Sequence, residues 1–291
     1  RTICKNLMVI VGHKREREEL TGLLSRDGIS LSFSGKEGTG KKLVALSFLR
    51  TLLNVSETED IRKHPDLFLI EKEDEMIKAD DIRALINFSS IKSYLGGKKA
   101  VLIDNAENMN KNAQNALLKI LEEPPKGEFI ILITKDFEEL LPTIRSRVTN
   151  IRFRDLNDVE MREIFPNITE EILAVADGSA KKADAFIHAD IKAMNAFAKN
   201  AILGGGDAFL EGKELTYVNL IIYTEYTQKT IADMIFEKNG GEPRLRLSKY
   251  LNEHYDFRAD YLIEKSRKLD KTAKLYAGNY NKKLLLTNLL F

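Results

Sequence analysis

Gly35-Lys36-Glu37-Gly38-Thr39-Gly40-Lys41-Lys42 has the composition and order of a loop that holds phosphate. Gly35, Gly38 and Gly40, with Thr39 among them, let the backbone turn its N–H groups inward around phosphates, the helix that starts behind them adds a partial positive charge, and Lys41 supplies a full one. A complete phosphate loop carries Ser or Thr after the lysine, because that hydroxyl ligates the Mg²⁺ accompanying a nucleotide. Here the position is Lys42, which has no lone pair to offer and adds a second cation. On these residues alone, a glycine turn ahead of an ordinary helix stays open beside the phosphate reading.

A second group of candidates begins where the run Val101-Leu102-Ile103 ends in Asp104. A carboxylate at the carboxyl end of a parallel strand, downstream of a phosphate loop, is the usual partner of Mg²⁺. Hydrolases place another acid beside it to take a proton from the attacking water. This chain has Asn105 there, and an amide cannot be that base. Glu107 reads either as an acid of the site or as a surface acid on the approach to a helix. Thr134 reads either as a donor to a terminal phosphate or as a hydroxyl bonded to its own backbone.

The elements that must position these residues follow from periodicity. Lys14 to Leu24 places Leu20, Leu23 and Leu24 at helical spacing with charges opposite, and Ile29 to Ser34 alternates apolar and hydroxyl residues as a strand. The glycine loop and a helix over Lys41 to Leu53 come next, so the order is strand, loop, helix. Leu67 to Ile70 predicts a buried strand, Glu71 to Glu75 a solvated acidic patch, and Ile82, Leu85, Ile86 and Phe88 one helix face. Ala100 to Ile103 is a strand that Asp104 ends, and Asn110 caps a helix carrying Ala113, Ala116, Leu117, Ile120 and Leu121 before Pro124-Pro125 stops it. Phe129 to Ile133 is wholly apolar and too short for a helix, which marks a central parallel strand. Pro142 opens a short helix to Arg147, and Thr149 to Phe153 is the last strand.

Short helices are expected from Leu156 to about Leu203, Gly204-Gly205-Gly206 as a linker, and helix again from Ala208 to Phe291 with no catalytic constellation. Eight of the nine tyrosines lie in that last stretch, which suits either a hydrated interface or the core and rim of a helical domain.

Lysines and arginines number 45 against 44 acids, so no bulk field points to nucleic acid or membrane. Cys4 is the only cysteine, which excludes an internal disulfide and a cysteine-rich metal site and fits a reducing, cytoplasmic setting. No segment approaches the roughly 20 apolar residues that span a bilayer, and a length of 291 predicts two or three domains. The sequence opens on Arg1 and not on a methionine, so its native start is expected to differ.

Asp104-Asn105-Ala106-Glu107-Asn108-Met109, then Asn112 through Glu122-Glu123-Pro124-Pro125, then Leu141-Pro142-Thr143-Ile144-Arg145-Ser146-Arg147, closely resemble the bacterial clamp-loader branch of the AAA+ proteins, and within it the delta-prime subunits of DNA polymerase III. The resemblance implies an α/β fold: a P-loop AAA+ core with a parallel five-stranded sheet (1–154), a small helical lid (155–203) and an all-helical collar for oligomerisation (204–291). It implies that Arg147, with Ser146, reaches a neighbouring subunit's ATP site as an arginine finger, although Val148 replaces the family's cysteine. His64-Pro65-Asp66 matches a family landmark, while Thr51 to Lys63 lacks the cysteines of the zinc module that many relatives hold there, so no zinc is expected. Lys182, in Gly178-Ser179-Ala180-Lys181-Lys182-Ala183, takes the place of a nucleotide-sensing arginine and keeps the charge without the fork.

The implied partners are the gamma/tau ATPase subunits and the delta subunit of the loader, and through them the sliding clamp and primed DNA. The implied role is a stator that needs no cofactor and does not hydrolyse ATP. Lys42 and Asn105 give separate chemical grounds for that view, and leave Gly35, Gly38, Thr39, Gly40, Lys41, Lys42, Asp104, Asn105, Thr134 and Lys182 as a degenerate site that holds ATP or ADP or stays empty. The rivals are an active ATPase subunit of the same family and a nucleotide-gated scaffold outside replication.

Overall fold

The computed structural model describes residues 10–72, 75–204 and 217–277. The chain divides into two compact units, Arg1–Glu160 and Met161–Phe291.

In the first unit five strands form one parallel sheet: β1 (Ile29–Ser34), β2 (Leu67–Glu71), β3 (Lys99–Asp104), β4 (Glu128–Thr134) and β5 (Thr149–Arg152), in the order β2-β3-β4-β1-β5. Among the described residues five α-helices accompany it: α1 (Lys14–Leu23), α2 (Lys41–Leu52), α3 (Ala79–Ser90), α4 (Lys111–Glu122) and α5 (Pro142–Arg145). Because side chains alternate across a strand, β3 and β4 feed two cores at once. Ala100, Leu102, Phe129, Ile131 and Ile133 face Val44, Phe48 and Leu49 of α2 and Leu20 of α1. Val101, Ile103, Ile130 and Leu132 face Ile82 and Leu85 of α3, Ala113, Leu117 and Leu121 of α4, and Ile144 of α5. That double burial is why β4 is apolar at consecutive positions, and each such side chain removed from water contributes roughly 1.5–3 kcal/mol.

The helix starts follow local chemistry. The Asn110 side chain accepts the Ala113 N–H at 2.8 Å, so the expected cap sits at the head of α4. Pro142 occupies the first turn of α5. Asp66, from the His-Pro-Asp landmark, is buried and accepts the N–H groups of Tyr94 at 2.6 Å and Leu95 at 3.1 Å and the Ser93 hydroxyl at 3.0 Å. The landmark therefore ties the segment between α3 and β3 to the head of β2.

The second unit is helical. Its helices are α6 (Asp158–Ile164), within which the division falls, then α7 (Glu170–Ala176), α8 (Ala180–Ile187), α9 (Ile191–Leu203), α10 (Tyr217–Lys238), α11 (Arg246–His254) and α12 (Ala259–Ala277). It contains the stretches expected of both lid and collar. α7 packs on α8, while α10 is the centre against which α9, α11 and α12 lie. Met194, Phe197, Ile202, Leu220, Ile231, Met234, Leu251 and Leu262 form its apolar interior. Among the tyrosines, Tyr223 and Tyr226 are core residues, with the Tyr226 hydroxyl donating to Asn195 Oδ1 at 2.6 Å, whereas Tyr250 and Tyr255 are exposed. Gly204 ends α9 in the left-handed conformation; Gly205, Gly206 and the run Tyr280 to Leu286 lie outside the described residues. No described helix is long and apolar enough to cross a membrane.

Candidate functional site

The carboxyl ends of the strands set the site. Ser34, the last residue of β1, pairs in register with Thr134 of β4 and Arg152 of β5, and Glu71 of β2 pairs with Asp104 of β3. The loop after β1 therefore leaves the sheet at the edge where such folds receive ligands. Gly35, Gly38 and Gly40 all have positive φ, at 142°, 79° and 99°. Gly35 must also lack a side chain, since a Cβ there would lie 2.3 Å from the Phe153 carbonyl oxygen. Gly40 is the N-cap of α2, and the buried Thr39 hydroxyl donates to the Lys36 carbonyl at 3.0 Å, closing the turn.

Lys41 is buried and bends back over this loop, donating to the carbonyls of Gly35 and Lys36, the latter at 2.7 Å. Burial pulls its pKa down to about 8, against the opposing pull of Glu107, Asp104 and Glu37. Lys42 reaches the carboxylates that end β2 and β3. Its ammonium lies 2.8 Å from Asp104 Oδ2 and 3.1 Å from Glu71 Oε1. Burial works against its charge, but the hydrogen bonds and charges of Asp104 and Glu71 outweigh that and raise its pKa above the usual lysine value. Lys135 reaches across to Glu37 at 3.0 Å.

The donor set does not fit the divalent cation that loops of this kind bind. The position that supplies a hydroxyl ligand is an ammonium, and that ammonium already holds the Asp104 carboxylate. Among the described residues, no group of three or more His, Cys, Asp or Glu side chains is arranged to hold a metal ion. Asn105 adopts the left-handed conformation, with φ 53°, and its amide donates to the Lys72 carbonyl at 3.3 Å. Glu107 is not the surface acid of the blander reading: both its carboxylate oxygens are sealed from solvent without a hydrogen-bond partner among the described residues, and its charge acts on Lys41 and Lys135. Thr134 is buried, and its hydroxyl donates to the Asp136 carbonyl at 2.8 Å, two residues along its own backbone.

Two candidates remain, Arg147 in the first unit and Lys182 in the second. Arg147 follows α5; its guanidinium is 2.8 Å from Glu122 Oε1 and donates to the Thr143 carbonyl at 2.9 Å and Ser146 Oγ at 3.1 Å. A third of its side chain is exposed, at 34%. Lys182 belongs to the second unit, in the first turn of α8 behind its Ser179 cap, and pairs with Glu225 of α10 at 3.0 Å.

Three residues with structural claims on the site went unread in the sequence. Glu71, placed in a solvated acidic patch, instead ends β2 and holds Lys42; one more residue of strand would have put it in register with Asp104. His13, only 1% exposed, meets the Thr39 carbonyl through Nε2 at 2.7 Å and packs edge-on to Phe153, linking the head of α1 to the loop. Nothing in its neighbours signals that long-range bond. Gln114, 6% exposed, donates to the Met109 carbonyl at 3.1 Å and accepts the Leu141 N–H at 2.8 Å, so it joins the head of α4 to the residue that caps α5. A polar residue beside the apolar stripe of α4 was its one available signal.

The profile of the family described as DNA polymerase III, delta subunit, matches residues 17–157. The chain is 48% identical over 86 residues to DNA polymerase III subunit delta' of Pseudomonas aeruginosa, covering 29% of this chain and 26% of that one. It is 38% identical over 136 residues to the subunit delta' of Bacillus subtilis, covering 43% and 41%. It thus spans less than half the length of these curated relatives. Among solved structures, a DNA polymerase III gamma subunit-related protein of Thermotoga maritima superposes with TM-score 0.59 over 94% of this chain and 97% of that one, at 22% identity, which shows a shared fold. Over residues 17–157 this chain is thus similar to the DNA polymerase III delta' subunits, and the likeness is confined to that core.

Proposed function

We propose that the chain is a stator subunit of a replicative clamp loader: it does not hydrolyse ATP, and it lends Arg147 to the ATP site of a neighbouring ATPase subunit. The observation that carries the first half is the Lys42 ammonium seated on Asp104 and Glu71, where a hydrolytic site needs a metal ion. Asn105 removes the base that would activate water. For the second half, the support is that α5 presents Arg147 at the surface in the Ser146-Arg147 pair that resembles the family's finger motif, held by the exposed Glu122. Its guanidinium can exchange one anionic partner for another when a neighbour's phosphate arrives.

In this reading the partners are gamma/tau-type ATPase subunits and a delta subunit. The sliding clamp and primed DNA are met through the complex. The helices α6 to α9 serve as the lid and the later helices as the collar that joins the subunits.

The test mixes the chain, or its Arg147→Ala variant, with the partner ATPase and delta subunits, clamp and primed DNA. Wild-type chain alone is expected to show no steady-state ATP turnover. The variant is expected to slow hydrolysis at the adjoining site by about tenfold or more, since arginine fingers contribute roughly 10³–10⁵ in rate. Unchanged rates remove the finger, and turnover by the isolated chain removes the stator. The rival, an active ATPase, has one observation in its favour: the sealed Glu107 carboxylate beside Lys41. If that reading is right, the isolated chain turns over ATP and Glu107→Gln abolishes it.

A further inference from the structure

Lys42 does more than delete a metal ligand. Its ammonium lies between two carboxylates that end neighbouring strands, 2.8 Å from Asp104 and 3.1 Å from Glu71, and Asp104 is nearly closed to solvent, with 12% of its side chain exposed. Arg62 lies 3.8 Å from the same Glu71 oxygen that Lys42 approaches. A Mg²⁺ ion demands oxygen ligands at about 2.0–2.1 Å in near-octahedral order. At this point it meets a positive charge, no hydroxyl, and a carboxylate already engaged. The rest of the loop is intact for phosphate: three glycines at positive φ, the N-terminus of the 12-residue α2 behind them, and Lys41 within the turn. The cation that usually arrives with the nucleotide is therefore built into the chain.

We propose that this loop binds a nucleoside diphosphate or triphosphate without a divalent metal, with Lys42 as the resident cation and Lys41 as the phosphate clamp. The proposal rests on the non-hydrolysing reading of the site and specifies what that site holds. Phosphate oxygens take the place of the Gly35 and Lys36 carbonyls on Lys41, while Lys42 stays on Asp104 and Glu71 and presents its remaining N–H to the anion. Because Mg²⁺ in solution competes for the phosphates, excess metal leaves affinity unchanged or weakens it.

The chain is titrated with fluorescently labelled ADP, once in excess Mg²⁺ and once in EDTA. The expected result for the wild type is an affinity in EDTA at least equal, within about twofold, to that in Mg²⁺. Lys42→Thr, which restores a hydroxyl and frees Asp104, is expected to bind at least about tenfold more tightly in Mg²⁺ than in EDTA. Lys42→Arg keeps a cation and is expected to stay insensitive to EDTA. The ratio between the two conditions is the readout, so a general loss of stability in either variant does not imitate the effect. Wild-type binding that tightens tenfold with Mg²⁺ overturns the proposal, as does absence of ADP binding in both conditions. Steady-state ATP turnover by the isolated chain would instead refute the stator reading, and the EDTA titration separates the two failures.

Discussion

Replacing Gln114 by methionine tests how the head of α4 is joined to α5, the short helix that Arg147 follows. Methionine has nearly the same length and volume and neither donor nor acceptor strength, so the substitution removes two hydrogen bonds while opening little cavity. The Met109 carbonyl loses its partner at 3.1 Å and the Leu141 N–H loses its partner at 2.8 Å. A buried polar group left unsatisfied costs about 1–3 kcal/mol. The Leu141 end is only partly buried, which puts the sum at roughly 2–4 kcal/mol. For a unit of this size, about 2–4 °C per kcal/mol applies, so the first unit's melting transition is expected to fall by roughly 4–16 °C. Scanning calorimetry measures it, with hydrogen exchange at Leu141 reporting the local part. Since Leu141 is the residue from which α5 starts, Gln114→Met is also expected to weaken the Arg147-dependent stimulation of partner ATPase subunits. A loss below about 0.5 kcal/mol with unaltered exchange at Leu141 would refute the idea that this side chain sets the position of α5.

Two further perturbations address the loop and the landmark. Gly35→Ala forces a Cβ to 2.3 Å from the Phe153 carbonyl at φ 142°, so a destabilisation of about 2 kcal/mol or more is expected in urea unfolding, and a neutral result would show that the loop and β5 do not meet as described. Asp66 is pushed up by burial, but the hydrogen bonds from Tyr94, Leu95 and Ser93 outweigh that and hold its carboxyl below the usual range. Its contribution is therefore fully present above an unfolded pKa of about 3.9 and disappears as pH falls through the lower folded value. Acid titration is expected to expose the Tyr94 and Leu95 amides to exchange, and Asp66→Asn is expected to flatten that acid dependence; an unchanged profile in the variant would exclude Asp66 as the source.

Much of the first unit was readable in one dimension because its signals are local. The strand over Ile29 to Ser34 matches β1, Asn110 caps α4, Pro142 opens α5, and the unbroken apolar run that closes at Ile133 forms the central strand β4. Each depends on residues within a turn or two of one another, so composition and spacing specify them. The helical second unit was legible as helix and no further, since periodicity shows an apolar face without showing which helix covers it.

The amino-acid sequence by itself determined that the loop lacks a hydroxyl after Lys41 and an acid after Asp104, and those two facts bound its chemistry. What only the tertiary structure decided is where the charges go. Lys42 meets Glu71 because β2 and β3 are neighbours in the sheet, although the two residues lie far apart along the chain. Glu107 is sealed beside Lys41, His13 closes on Thr39, and Gln114 reaches Leu141 for the same reason: side chains remote in sequence are brought together by packing, and packing is a property of the assembled core.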